Sequence, residues 1–495
     1  MTDGFPDEGA KNVPLAVDLD GALIRTDMLG ESALAGFRAA PLSALRWPLW
    51  LARGKAHLKR RLAENFAFDP AALPYHQPLL DWLRQQKQAG RALALCTASD
   101  QAVAQAIADH LGLFDEVIAS DGNANLKGQA KADALCARFG PRGFDYAGND
   151  AADLAVWRQA RRAIVVNASA AVLRRARQQA AGAQAEPLAF ERERAGPLQR
   201  LRVWARALRL HHWVKNILLF APLLAAHHWS DGPGWLKALL GFAAFGLCAS
   251  AVYLANDLLD LESDRRHPRK RSRPLAAGTL RMGRALLAAP LLLAASAAIA
   301  VQIGAGFAAW LAVYFALTCA YSLLLKRLIL VDCLTLGILY TLRVVAGAAA
   351  AQVPMSFWAL TFCGSLFLSL ALVKRYAELL VQQAAGREQA HGRGYLTGDA
   401  PVLLALGVAA GYMAVVVLAL YLNSEAVRQL YRTPGLLTLA VPIVVYWVSW
   451  VWLQASRGRM HDDPLMFAFK DPSSLVAGLL FALVMAAGSS ITWPW

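Results

Sequence analysis

Two hydrophobic patterns divide the chain. Over residues 13–180, short apolar runs at 13–17, 91–96, 116–119, 144–147 and 163–166 alternate with amphipathic stretches. Runs of that length separated by helical pattern predict parallel strands with helices on both faces, an α/β domain. Mostly helical sequence follows the first strand directly and interrupts the alternation, predicting an inserted cap over about 26–85. Residues 181–200 are polar and carry Gly and Pro, as linkers do. Beyond them lie nine apolar stretches, at 214–230, 235–256, 284–304, 306–325, 328–350, 356–374, 401–422, 434–454 and 474–493. Each approaches the roughly 20 residues that cross a bilayer as a helix. The expected layout is an α/β domain over 1–183, a linker over 184–200 and an all-α membrane bundle over 201–495.

Composition supports the second half of that layout. Hydrophobic residues make up 57% of the chain and charged residues 17%, too apolar a balance for an ordinary soluble protein. The net charge of +15 raises the question of nucleic acid. The basic residues, however, cluster beside apolar runs: Arg265, Arg266, Arg269, Lys270, Arg271 and Arg273, then Lys326–Arg327, then Lys374–Arg375. Such loops mark the cytoplasmic side of a multi-pass protein of the inner cell membrane, and no nucleic acid partner is expected. The acidic N-terminus MTDGFPDEGAK lacks the apolar core of a signal peptide, which keeps the α/β domain on the same side. Six cysteines without CxxC spacing predict neither a zinc site nor a disulfide framework. No pattern in the chain sets an oligomeric state.

The first candidate site starts in VDLDGAL. Asp18 ends the first strand and Asp20 lies two residues on. A carboxylate placed there can attack phosphorus, and a second can protonate the leaving alcohol and then activate water. Ligands of open parallel sheets bind at the carboxyl ends of the strands. Thr97 in LCTASD, Lys131 in LKGQAKA and Asn149 with Asp150 in AGNDAAD fall at such ends or at a helix start. Together these motifs resemble the haloacid dehalogenase superfamily of phosphohydrolases over 13–180. The resemblance implies Asp18 as nucleophile, Asp20 as acid/base, Thr97 as phosphate contact and Lys131 as charge stabiliser, with Lys127 a possible substitute. It implies Mg²⁺ held by Asp18, Asp20 and the segment Asn149–Asp150–Asp153. Two positions depart from the family: Ala22 stands where Thr is common, and Asn149 where Asp is usual.

The second candidate site is the run from Asn256 to Arg273. Asn256, Asp260 and Asp264 are four residues apart and share a helix face, with Asp257 beside it. Acids at a membrane boundary are costly unless they face a polar cavity. Mg²⁺ takes oxygen ligands and bridges carboxylates to diphosphate, and Lys270 and Arg273 can hold remaining phosphate oxygens. Further along, Tyr321 and Lys326 precede Asp332, which with Arg343 interrupts an apolar helix. The segment from Leu208 to Trp493 resembles the UbiA superfamily of polyprenyl-using transferases, which implies a helical bundle with a Mg²⁺–diphosphate site open to membrane lipid. Asp260, Lys326 and Asp332 become its candidate catalytic groups. Aromatic prenyltransferases of that family often carry a second acid four residues after the first. Here Leu336 stands in that place, which weakens prenylation of an aromatic acceptor.

Other stretches resemble one branch, the polyprenyl-phosphate phosphoribosyltransferases: HHWVKNILLF with Lys215 and Asn216, LRVVAG with Arg343, and LVKRYAEL with Lys374 and Arg375. The resemblance implies phosphoribosyl pyrophosphate as donor and polyprenyl phosphate as acceptor; the product of that transfer keeps a 5-phosphate, and the expected role of the fused phosphohydrolase-like domain is to remove it at high effective concentration. Prenyl transfer from a polyprenyl diphosphate is the alternative, and a transporter or scaffold with a vestigial hydrolase domain is the alternative from another class. The last basic-side loop, with His461, Asp462, Asp463 and Lys470, reads either as a cap of the cavity or as a solvated loop.

Overall fold

The computed structural model describes residues 12–66, 68–122, 124–180, 188–190, 196–228, 230–387, 393–460 and 463–490. The N-terminal segment read for a signal peptide, most of the expected linker, and His461 with Asp462 lie outside the described residues. The chain forms two compact units, Met1–Leu208 with Leu254–Ala288, and Arg209–Tyr253 with Ala289–Trp495. The acidic run Asn256–Arg273 falls in the same compact unit as the α/β sheet, and there Arg265 and Arg266 pair with Glu31 and Asp69.

In the first unit the strands are β1 (Leu15–Val17), β2 (Leu93–Asp100), β3 (Glu116–Ser120), β4 (Asp145–Gly148), β5 (Arg162–Val166) and β6 (Leu188–Phe190). They form one sheet in the order β3-β2-β1-β4-β5-β6, and every pairing is parallel. Leu15 stands between Leu93 and Asp145 in register. Side chains alternate between faces: Leu15, Val17, Leu93 and Leu95 pack into one core, and Ala16, Ala94 and Cys96 into another. Helices cover both faces, which is why these strands read as continuous apolar runs rather than alternating ones.

The expected cap is present as helices Met28–Ala39, Trp47–Ala52 and Lys55–Asn65 with short 3₁₀ turns. β6 is a correction to the linker. Leu188–Phe190 pairs with Ile164–Val166 of β5 and closes the sheet edge. Three residues flanked by Pro, Gly and charge carry too little pattern to be read as a strand.

The second unit is helical. Among the described residues, eight helices are long and apolar enough to cross a membrane: Gly232–Leu259, Met282–Ile303, Ala305–Leu323, Val331–Ala351, Phe357–Ala384, Thr397–Leu422, Pro434–Ser456 and Pro472–Ser490. The ninth expected span, 214–230, does not form. Leu210–Phe220 is a 3₁₀ segment followed by the short helix Ala221–Ala225. Gly347 explains how it is seated: a β-carbon there would lie 2.1 Å from the Leu219 carbonyl oxygen, so the backbone itself packs on the helix Val331–Ala351. Small residues let helices approach elsewhere too. A β-carbon at Gly407 would meet the Trp452 ring at 2.1 Å, and Trp452 Nε1 donates to Ser369 Oγ at 3.1 Å.

Candidate functional sites

Asp18 leaves β1 with its N–H bonded to the Ala147 carbonyl at 2.8 Å, which fixes it at the carboxyl end of the sheet. Its Oδ1 accepts from Lys131 Nζ at 2.7 Å and from the Leu19 N–H at 2.9 Å. Lys131 rises from the first turn of the helix Gln129–Phe139 and also donates to the Tyr146 hydroxyl at 2.8 Å. Burial pushes the Asp18 carboxyl up, to about 7, against the pull of the Lys131 ammonium. Burial works against the charge on Lys131 as well, but the Asp18 and Asp153 carboxylates hold it above the ordinary lysine range. Lys131, not Lys127, is therefore the partner of Asp18.

Asp20 accepts from the Met28 N–H at 2.9 Å and from the Ser99 hydroxyl at 2.8 Å, and burial raises its carboxyl above the ordinary range. Thr97 is fully buried within β2, rather than ending it, and its Oγ1 accepts the Ser99 N–H at 3.0 Å. Asp150 Oδ1 accepts the Ala151 N–H at 2.7 Å and caps the turn Ala151–Asp153. Asp153 is engaged too, by the Tyr146 hydroxyl and by the N–H groups of Asn149 and Asp150.

Asn149 behaves differently. It sits against Gly21 (φ 82°), where a β-carbon would stand 2.1 Å from the amide nitrogen. Its Oδ1 is buried with no hydrogen-bond partner. A dehydrated, unpartnered carbonyl oxygen costs stability unless something meets it. That oxygen and the Asp18 carboxylate fit Mg²⁺, which accepts carbonyl ligands and retains water. Lys59 and Ser99 were missed by sequence. Lys59 reaches from Lys55–Asn65 to the Ala98 carbonyl at 2.6 Å, and both line a small pocket with Met28, Leu29, Ser32, Asp100 and Val103.

At the acidic run, helix Gly232–Leu259 ends and helix Leu261–Arg266 begins, with Asp260 between. The Asp260 N–H bonds to the Asn256 carbonyl and the Asp264 N–H to the Asp260 carbonyl, both at 2.8 Å, so helical spacing survives the junction. Arg273 bridges Asp257 and Asp264, at 3.1 and 2.6 Å, and Lys270 Nζ stands 3.8 Å from Asp264. Asp264 is buried and its Oδ1 has no hydrogen-bond partner. The half-buried Asp260 carboxylate has no hydrogen bond or ion pair among the described residues. These oxygens suit Mg²⁺. Among the described residues no three acidic, His or Cys side chains form a closed metal cage, so amide, water or substrate oxygens would complete the shell.

In the helical unit the expected residues separate into two groups. Lys215 and Lys374 converge on Asp463, at 2.6 and 3.5 Å from its Oδ2, and the Tyr340 hydroxyl donates to the same carboxylate. Burial opposes ionisation of Asp463, but the two ammoniums hold its carboxyl well below the usual range. This hub was legible only as part of a polar loop. Tyr321 and Lys326 are half-buried and make no hydrogen bond or ion pair among the described residues.

The other group is locked. Asn216 accepts from Arg343 Nε at 3.0 Å and donates to the Phe242 carbonyl at 3.3 Å. Arg343 further donates to the Leu339 carbonyl and the Tyr314 hydroxyl. Asn216 and Arg343 thus hold one another in place, and each keeps N–H donors that these bonds do not use. Asp332 and Arg375 are both fully buried and paired at 2.5 Å. Asp332 also accepts from Tyr395 at 2.6 Å, from Arg393 at 3.2 Å and from the Cys333 N–H at 2.7 Å. Asp332 thus serves as the counter-ion of Arg375 and Arg393, while Arg375 Nε and Nη2 are buried without a hydrogen bond.

With its eight apolar helices, the molecule is a multi-pass integral membrane protein bearing an α/β hydrolase-like unit. Residues 217–470 match the UbiA prenyltransferase family and residues 15–158 the haloacid dehalogenase-like hydrolases. The chain belongs to the UbiA prenyltransferase family and carries an N-terminal haloacid dehalogenase-like domain. It is 39% identical over 474 residues to the uncharacterised protein y4nM of Sinorhizobium fredii, covering 95% of this chain and 90% of that one. It is 38% identical over 189 residues to the decaprenyl-phosphate phosphoribosyltransferase of Mycolicibacterium smegmatis, covering 37% of this chain and 58% of that one. A UbiA homolog from Archaeoglobus fulgidus, solved with GPP and Mg²⁺, aligns with 58% of this chain and 100% of its own at 17% identity and a TM-score of 0.44.

Proposed function

We propose that the chain transfers a 5-phosphoribosyl group from phosphoribosyl pyrophosphate to a polyprenyl phosphate, and that its soluble domain then removes the 5-phosphate. The observation that carries the transferase half is the acidic run. It offers an Asp260 carboxylate without a partner among the described residues and a buried Asp264 oxygen that makes no hydrogen bond and stands 3.8 Å from the Lys270 ammonium, with Arg273 on the other oxygen. That is a donor set for a metal-bound diphosphate that must leave. The phosphoribosyl donor is favoured by the identity to the mycobacterial enzyme and by Leu336, where a second acid would serve aromatic prenylation.

Mg²⁺ held by Asn256, Asp257 and Asp260 would neutralise charge growing on the departing diphosphate. Lys270 and Arg273 orient its remaining oxygens. As the bond from ribose C1 to the diphosphate breaks, C1 becomes oxocarbenium-like and a phosphate oxygen of the polyprenyl phosphate bonds to it. Positioning and charge complementarity carry such a reaction without a covalent enzyme intermediate. In the soluble domain Asp18 attacks the 5-phosphate phosphorus, Asp20 protonates the leaving alcohol, and water then releases phosphate. Lys131 steadies the Asp18 carboxylate and Lys59 stands where the phosphate approaches. Two sites on one chain give the intermediate a high effective concentration at the second.

The test is mass spectrometry of lipid extracts from purified protein given Mg²⁺, phosphoribosyl pyrophosphate and polyprenyl phosphate. Wild type yields the dephosphorylated ribosyl lipid. Asp18→Asn slows dephosphorylation by about 10⁴-fold, the scale of losing a covalent nucleophile, and the 5-phosphorylated lipid accumulates. Product only from polyprenyl diphosphate plus 4-hydroxybenzoate would replace this assignment with aromatic prenylation.

A further inference from the structure

Within the first unit, the cap and the acidic run are joined by ion pairs that neither reaction uses. Glu31 lies on the cap helix Met28–Ala39, and Arg265 follows Asp264 on the helix Leu261–Arg266. The Arg265 guanidinium donates to both Glu31 oxygens, at 2.7 and 3.1 Å, and its Nε donates to the Ala276 carbonyl at 3.3 Å. The two side chains are 7% and 10% exposed, so this is a desolvated pair rather than a surface one. Thr26 donates to the same Glu31 carboxylate at 2.7 Å. Two outer pairs flank it, Arg266 with Asp69 at 2.7 Å and Arg38 with Glu262 at 2.9 Å. The backbones approach closely as well. A β-carbon at Gly278 would stand 2.8 Å from that of Arg25, and one at Gly30 would stand 2.9 Å from the Met282 sulfur.

Reacting groups lie next to both ends of the central pair. The cap helix starts at Met28, whose N–H binds Asp20. Arg265 adjoins Asp264, which shares Arg273 with Asp257. A bidentate guanidinium–carboxylate contact fixes the rotation of a helix about its axis, which a single point charge does not. We propose that Glu31 and Arg265 are positioning residues of the transferase: the cap of the hydrolase-like domain holds the helix Leu261–Arg266 so that Asp264 and Arg273 stay aligned with Asp257 and Asp260. The soluble domain is then a structural part of the diphosphate site as well as the bearer of a second activity. Glu31→Gln leaves Arg265 buried without its counter-charge, and Arg265→Lys cannot span both Glu31 oxygens and the Ala276 carbonyl. Either change loosens the segment without removing a substrate contact.

The proposal rests on the transferase assignment above, and its test separates the two. In the full-length protein, Glu31→Gln raises KM for phosphoribosyl pyrophosphate about tenfold while kcat stays within about twofold, the split expected when alignment of a binding group is lost. Amide hydrogen exchange across 261–278 accelerates, and the melting midpoint falls as a buried guanidinium loses its counter-charge. The double variant Glu31→Gln with Arg265→Gln, which buries no unpaired charge, recovers part of both effects. Unchanged exchange and unchanged KM would overturn the proposal. Should wild type show no transfer from phosphoribosyl pyrophosphate, the donor assignment falls, and exchange in 261–278 alone decides the positioning role. If Glu31→Gln does not fold, Arg265→Lys, which keeps the charge, carries the same measurements.

Discussion

Two acid-bearing regions looked alike in the sequence and differ sharply in the molecule. At the acidic run the Asp260 carboxylate has no hydrogen bond or ion pair among the described residues, and one oxygen of the buried Asp264 has no hydrogen bond. Around Asp332 every carboxylate oxygen is engaged, by Arg375, Arg393, Tyr395 and the Cys333 N–H. Both acids interrupt or end apolar helices, and the cost of burying charge made both look functional. That cost has two remedies. One is a cation or metal supplied with the substrate; the other is a permanent protein counter-ion. An acid with open oxygens is available for chemistry, whereas an acid with filled ones orders its neighbours.

Substitution at Asp260 gives the largest separation. Asp260→Asn lowers transfer by about 10³-fold, the scale of one electrostatic stabiliser, and leaves the thermal midpoint in detergent within experimental scatter. Product formation and thermal unfolding on the same preparation check this; a large drop in midpoint would make Asp260 structural and erase the contrast. Asp332→Asn does the reverse. It leaves Arg375 buried beside a neutral amide and destabilises the fold by about 3 kcal/mol, read as a lowered unfolding midpoint. Transfer per folded molecule stays near wild type, and a selective loss of turnover would return Asp332 to the reacting groups.

A smaller effect comes from Asp463, whose carboxyl is held below the usual range by Lys215 and Lys374 once burial is overcome. A depressed carboxylate stabilises the fold above its unfolded pKa, near 3.9, and that contribution fades as pH falls toward the folded value. Asp463→Asn should therefore cost about 2 kcal/mol at neutral pH, with the difference from wild type narrowing below about pH 4. Melting curves across pH check the sign; a gap that widens on acidification would exclude this linkage.

Much of this was readable from residues alone. Five of the six strands, the cap and the spacing of Asn256, Asp260 and Asp264 follow from local pattern, because each depends on neighbours in sequence, whereas the pairing of Asp18 with Lys131, 113 positions away, came from the family resemblance. What escaped depends on distant partners. Asn216 and Arg343 are 127 positions apart, and no local pattern marks the hydrogen bond that joins them. Lys215 and Asp463 are separated by 248 positions, and nothing local marks that loop acid as a hub. The missing ninth span has the same origin, since hydropathy weighs apolar content but not whether the backbone winds as an α-helix.

The contact between Gly347 and the Leu219 backbone turns one missing methyl group into a seat for a whole segment. A side chain at that place would have to displace Leu210–Phe220, and with it Lys215 and Asn216, from the helix Val331–Ala351 that carries Tyr340 and Arg343.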